Sequence, residues 1–126
     1  MISKDMLKHA HHHEFDDGEI YGAYKIFFGT LVSESRLKII NLLRKSNRNV
    51  SEIMSELKMN QTAVSHDLAR LRRCGFVKST IDGKYRYYSL NEETIKPLMG
   101  IIDKHMNQFC IHILHQMKGE DEHGRQ

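Results

Sequence analysis

The chain has 126 residues and weighs 14.8 kDa, enough for one domain around one core and tight for two. Forty per cent of it is hydrophobic, so wholesale disorder is excluded, and no apolar run reaches the ~18 residues a membrane span needs. Two cysteines, Cys74 and Cys110, are too few for a disulfide scaffold and read as reduced thiols of a cytoplasmic protein. The polar start, Met1-Ile2-Ser3-Lys4, gives no secretory signal.

The net charge of +3 conceals its distribution. Residues 1–20 carry −3 and residues 21–32 carry +1. Residues 33–90 hold twelve lysines and arginines against five carboxylates, which is +7, and residues 91–126 carry −2. A basic middle between acidic ends suits a polyanion as partner.

In chain order, residues 1–19 read as a mobile His-rich segment, with His9, His11, His12 and His13 as its biased tract. Residues 20–118 read as the folded domain and 119–126 as a frayed tail. Asp16 or Asp17 caps a first helix with Ile20, Tyr24, Phe27 and Leu31 on one face. Ser33 or Ser35 opens a second, with Leu37, Ile40 and Leu43 inward. After the polar stretch Lys45–Asn49, Ser51 caps a short helix holding Ile53, Met54 and Leu57. Lys58-Met59-Asn60 is a break. Asn60 or Gln61 then opens a helix with Val64, Leu68 and Leu71 on its core face, and Gly75 ends it. Two short helices joined by a tight turn are a helix-turn-helix.

Beyond Gly75 the period changes. Residues 76–81 and 85–90 are rich in β-branched and aromatic types, and Asp82-Gly83 marks the hairpin turn. Asn91 caps a further turn, and Pro97 starts a long helix to about Lys118. Its stripe is Leu98, Ile102, Met106, Phe109, Ile113 and Met117. The fold expected is mainly α with a β-hairpin wing: a winged helix-turn-helix.

Such a unit puts its second helix into the major groove of DNA and its hairpin on the backbone or in the minor groove. Gln61, Thr62, Ser65 and His66 lie near the N-terminus of that helix, where base edges come within reach. Glutamine can pair with adenine in a bidentate way. Arg70, Arg73, Lys84 and Arg86, with Arg72, are the phosphate candidates.

These residues resemble a known family. Residues 31–40, LVSESRLKII, are similar to its L-x-(S/D)-x-x-R-L-x-I-L helix. Residues 61–71, QTAVSHDLARL, are similar to its Q-S-x-(I/V)-S-H-x-L-x-x-L recognition helix, and Gly75-Phe76-Val77 with residues 82–90 to its wing. The family is that of the ArsR/SmtB winged-helix repressors, and the resemblance covers about residues 24–117. It implies a homodimer built from the first and last helices, an inverted-repeat operator in double-stranded DNA, and release of DNA by a metal ion or another inducer. The base-contacting positions it implies are Gln61, Thr62, Ser65 and His66.

The family's two metal sites fare differently. Its Cys-x-Cys pattern has no counterpart, because residues 49–54 contain no cysteine. Its Asp-x-His and His-x-x-His pattern on the last helix has a partial counterpart in Asp103, His105, His112 and His115. The gap between His105 and His112 is four residues short of the pattern, about one helical turn, so the half-motifs keep nearly the same angular relation on a continuous helix. Imidazole and carboxylate donors favour Zn, Ni or Co. His9, His11, His12 and His13 are further candidate ligands.

The first expectation is therefore a dimeric repressor that responds to a divalent metal. The alternative is a DNA-binding regulator that is ligand-independent or answers to a thiol or another signal. A His-rich metalloenzyme is disfavoured, since the chain has no HExxH, no nucleophile motif and no Gly-rich phosphate loop.

Overall fold

The computed structural model describes residues 15–124. The described residues fall into two compact units that divide between residues 89 and 90.

In the first unit, α1 spans Asp17–Leu31, α2 Glu34–Lys45, β1 Arg48–Asn49, α3 Val50–Leu57, α4 Gln61–Arg73 and β2 Val77–Asp82. β3, Tyr85–Leu90, closes the sheet, whose strand order is β1-β3-β2. The caps explain most boundaries. Asp16 Oδ1 accepts from the Glu19 amide at 2.7 Å, and Ser33 Oγ accepts from the Arg36 amide at 3.3 Å.

α3 is capped by Asn49, not by Ser51. Asn49 Oδ1 accepts from the Glu52 amide at 2.9 Å and Glu52 Oε1 accepts from the Asn49 amide at 3.0 Å, a reciprocal capping box. Asn49 also pairs with Tyr87 in the sheet, so one residue ends β1 and starts α3. A serine two places later was the more visible cap in sequence, but only a residue in extended backbone can sit ahead of the first turn.

Lys58 closes α3 at φ 55°, and Asn60 Oδ1 accepts from the Ala63 amide at 2.8 Å to open α4. The link between the two helices is thus three residues long. α4 ends at a left-handed Gly75, φ 78°. The Gly75 amide donates to Arg72 O at 3.1 Å and the Phe76 amide to Leu71 O at 2.9 Å. That is a Schellman closure, and its two apolar ends, Leu71 and Phe76, are both fully buried.

The core of this unit is Ile39, Ile40, Leu43, Ile53, Val64, Leu68, Leu71, Phe76 and Val77, none more than 4% exposed. α4 packs against α2, α3 and β2, and Phe27 of α1 lies 5.1 Å from the Phe76 ring. The hairpin turn is Gly83-Lys84, with Gly83 at φ 63°. Asp82 belongs to β2, one residue later than the sequence reading placed the strand's end.

In the second unit, Asn91 Oδ1 accepts from the Glu93 and Thr94 amides at 3.0 and 3.3 Å, a turn leading into α5, Ile95–Gln108. Pro97 is its third residue, still within the first turn, where a missing N–H costs nothing. The helix expected to run unbroken to Lys118 stops at Gln108. Phe109 has φ −129° and ψ −70°, and α6 restarts over Cys110–Gly124. Ile95 and Met99 are buried, whereas Met106, Phe109, Ile113 and Met117 of the expected stripe are exposed.

Candidate nucleic-acid interface

α4 has one face in the core and one in solvent. Val64, Leu68 and Leu71 are no more than 1% exposed, and the packed face fixes the rotation of the helix. Gln61, Thr62, Ser65 and His66 are all exposed on the opposite side, together with Ala69, Arg72 and Arg73. Four side chains named for base contact thus share one open surface at the N-terminal end of a helix whose other face cannot turn out.

The phosphate candidates divide into two kinds. Arg72, Arg73 and Lys84 are exposed, and Lys84 lies over the Tyr85 ring, 5.4 Å from its centroid. Arg86 is exposed but its Nη1 donates across the hairpin to Ser79 Oγ at 3.1 Å, which stiffens the wing. Arg70 differs from these in its surroundings. It is half-buried, and its Nε donates to Thr30 Oγ1 at 3.1 Å.

That bond belongs to a polar network that sequence reasoning missed. Thr30, fully buried, donates its hydroxyl to Ile26 O at 2.7 Å and lies 3.3 Å from Cys74 Sγ. The hydroxyl proton is committed to Ile26, so the Cys74 thiol is the donor in that contact. Arg36 Nε donates to Thr30 O at 2.8 Å and Nη2 to Gly29 O at 3.2 Å. A guanidinium thereby caps the C-terminal end of α1, where cations are favoured. Arg36 Nη1 reaches Asp67 Oδ1 at 3.4 Å, and Ser35 Oγ donates to Asp67 Oδ2 at 2.5 Å. Asp67 is 7% exposed and lies on α4. The network ties the end of α1 and the start of α2 to the recognition helix. One signal for it existed: a carboxylate at 67, on the edge of an apolar face set by 64, 68 and 71.

The metal candidates lie in the second unit. Asp103 and His105 are exposed on α5, His112 and His115 on α6. The break at Phe109 falls between the two half-motifs, so the angular relation worked out for a continuous helix does not hold. The His105 ring sits 4.8 Å from the Phe109 ring. Among the described residues no three potential ligands of one chain gather closely enough to hold an ion. His9, His11, His12 and His13 lie outside the described residues. Cys74 and Cys110 are free thiols, half-buried and exposed respectively. No helix among the described residues is long and apolar enough to cross a membrane.

Comparison with known proteins agrees with this geometry. The family model of bacterial regulatory proteins, arsR family, matches residues 33–79, from the cap of α2 into the wing. The HTH-type transcriptional regulator YbzH of Bacillus subtilis is 36% identical over 90 residues, covering 60% of this chain and 90% of the relative. The crystal structure of Rv0081 from Mycobacterium tuberculosis superposes with a TM-score of 0.70 at 28% identity, covering 75% of this chain and 96% of that one. A homodimeric winged helix-turn-helix DNA-binding domain, Mb0332 from Mycobacterium bovis, shares the fold with a TM-score of 0.70 at 24% identity, covering 78% and 93%. These proteins are regulators rather than enzymes. The chain belongs to the ArsR/SmtB family of winged helix-turn-helix transcriptional regulators.

Proposed function

We propose that the chain acts as a homodimeric repressor that occupies an inverted-repeat site in promoter DNA. The observation that carries this reading is the two-sided α4: a fully buried face that locks its rotation, and Gln61, Thr62, Ser65 and His66 exposed together on the other. In this reading Gln61 and its neighbours read base edges, while Arg70, Arg73, Lys84 and Arg86 hold phosphates. One protomer offers one such helix, enough for a single half-site. A two-fold dimer supplies the second, and its symmetry is mirrored in the operator. Tyr21, Ile26 and Phe28 on α1 are 54–57% exposed, as are Phe109, Ile113 and Met117 on α5–α6 at 53–57%. Apolar surface of that extent is suited to cover by a second copy.

Selection from a random duplex pool, followed by a mobility shift, tests the reading. The expected product is a two-fold symmetric sequence bound by two protomers, with affinity falling steeply as salt rises. Enrichment of no sequence, or binding indifferent to salt, refutes it.

Release by a divalent ion, Zn, Ni or Co, is a second reading, favoured by the exposed Asp103, His105, His112 and His115. Since one protomer does not gather three donors among its described residues, such a site would draw on both copies. Titrating the protein–DNA complex with each metal, with a chelator control, decides it. Metal-driven release that is lost in His105→Ala/His112→Ala supports the reading. Complexes that ignore all three metals leave a ligand-independent or thiol-responsive regulator as the better description.

A further inference from the structure

Beside the recognition helix is a hollow of about 250 Å³ lined by Arg36, His66, Ala69, Arg70 and Arg73. At about 100° per residue, His66, Arg70 and Arg73 occupy one flank of the solvent face of α4, and Gln61, Ser65 and Arg72 the other. Thr62 and Ala69 lie between. A helix laid in the major groove meets base edges with its N-terminal residues and runs beside the phosphate walls further along, where Arg70 and Arg73 lie. Arg36 comes from a different element, the first turn of α2, and joins the His66–Arg73 flank.

Two of the three arginines are fixed without any ligand. Arg36, its side chain 17% exposed, is held by Thr30 O, Gly29 O and Asp67. Arg70 is held by Thr30 Oγ1. The carboxylate that adjoins them is Asp67, whose second oxygen is taken by Ser35. Three guanidinium groups against one carboxylate leave the hollow positive. Planar guanidinium forks already oriented around a concave space match the oxygens of a phosphate.

We propose that this hollow is a phosphate seat, in which Arg36, Arg70 and Arg73 share a single phosphodiester of the DNA backbone. The proposal rests on the DNA-binding reading above and adds Arg36, which lies outside the helix-turn-helix, to the interface. Because Arg36 and Arg70 also grip the last turn of α1, the seat fixes the recognition helix at one depth against the groove wall. A free phosphate has the same oxygens and could enter the same space.

The test uses the full chain and a 30-bp duplex of random sequence, since a backbone contact is blind to sequence. Each neutralised phosphate contributes about 0.9 to the slope of log K against log salt. In a homodimer both protomers carry the change, so the Arg70→Gln/Arg73→Gln double variant should lose about 0.9 per protomer, about 1.8 per dimer, and about 30-fold in affinity near 0.15 M salt. A loss near ~3.6 per dimer means two separate phosphates per protomer and overturns the shared seat; an unchanged slope means the hollow does not face DNA and also overturns it. Arg73→Gln alone, at an exposed position, keeps the test valid if Arg70→Gln unfolds, and should lose no more slope than the double variant. Inorganic phosphate, against chloride at equal ionic strength, should weaken duplex binding by the parent chain and not by the double variant. Phosphate that perturbs the His66 ring resonances while leaving duplex binding untouched would make the hollow a small-anion site and overturn the proposal. Failure of the parent chain to bind any duplex would instead sink the DNA-binding reading itself.

Discussion

Asp67 ties the recognition helix to the rest of its unit, and its removal should be costly. The carboxylate accepts from the Ser35 hydroxyl at 2.5 Å, a charge-assisted bond worth about 1.5–3 kcal/mol. Its contact with Arg36 is long, 3.4 Å, between side chains 17% and 10% exposed, and adds about 0.5–1 kcal/mol. Arg36 keeps its carbonyl acceptors at Gly29 and Thr30 when Asp67 is lost, so no naked charge is left behind. Asp67→Ala should therefore destabilise the protein by about 2–4 kcal/mol. Asp67→Asn retains an oxygen for Ser35 and should cost about 1 kcal/mol. Urea unfolding followed by circular dichroism reads both. With a slope of about 1–1.5 kcal/mol per molar, the alanine variant's midpoint should fall by roughly 2–3 M. The comparison must hold protomer concentration constant, because dimerisation shifts apparent stability. An alanine variant within 0.5 kcal/mol of the parent would show that the network carries no net stability and that the packing of Val64, Leu68 and Leu71 alone orients α4.

Phe76→Ala removes a fully buried ring packed against Phe27 and should cost about 3–5 kcal/mol in the same urea assay, with loss of DNA binding following from unfolding. Gly83→Ala meets no atom within 4 Å, so its penalty is that of the left-handed backbone alone, about 1–2 kcal/mol; a thermal melt shifted by no more than experimental error would mean the turn adopts another conformation. Gln61→Ala changes an exposed side chain and should leave the melting temperature in place while lowering discrimination between the selected site and its base-substituted variants by about 1–3 kcal/mol; unchanged discrimination removes Gln61 from the base-reading set.

Much of this was legible because it is local. The core face of α4 follows from helical period. The Schellman closure at Gly75 and the cap at Asn60 follow from residue types that have few other uses at those places. The misplacements are equally physical. Ser51 and Asn49 are both good caps, and only the pairing of Asn49 with Tyr87, a partner 38 residues away, decides between them. The interruption at Phe109 carries no proline or glycine, and the apolar stripe runs straight across it, so periodicity is blind to it. The Arg36–Asp67–Ser35 network joins residues about thirty positions apart, and nothing local in either segment announces the pairing. The candidate base-reading residues were visible, because they are what remains of α4 once its core face is assigned.

The +7 charge of residues 33–90 overstates what DNA can meet. Arg48 is paired with Glu56 at 2.8 Å, and Lys38 lies 3.7 Å from Glu34 on the same helix. Arg36, Arg70 and Arg73 surround one hollow and serve one phosphate between them. With Arg72, Lys84 and Arg86, the other phosphate candidates on α4 and the hairpin, that makes about four phosphates per protomer and a slope of log K against log salt near −7 for a dimer on both half-sites. A filter-binding series over a fivefold range of potassium chloride measures it directly. A slope near −20 would mean that nearly every cation of the basic segment reaches the backbone, and the internal bonds of Arg36, Arg48 and Arg70 would then have to be exchanged for phosphate contacts on binding. A slope shallower than −3 would mean that one half-site at most is engaged, which is incompatible with two copies of α4 lying in successive major grooves.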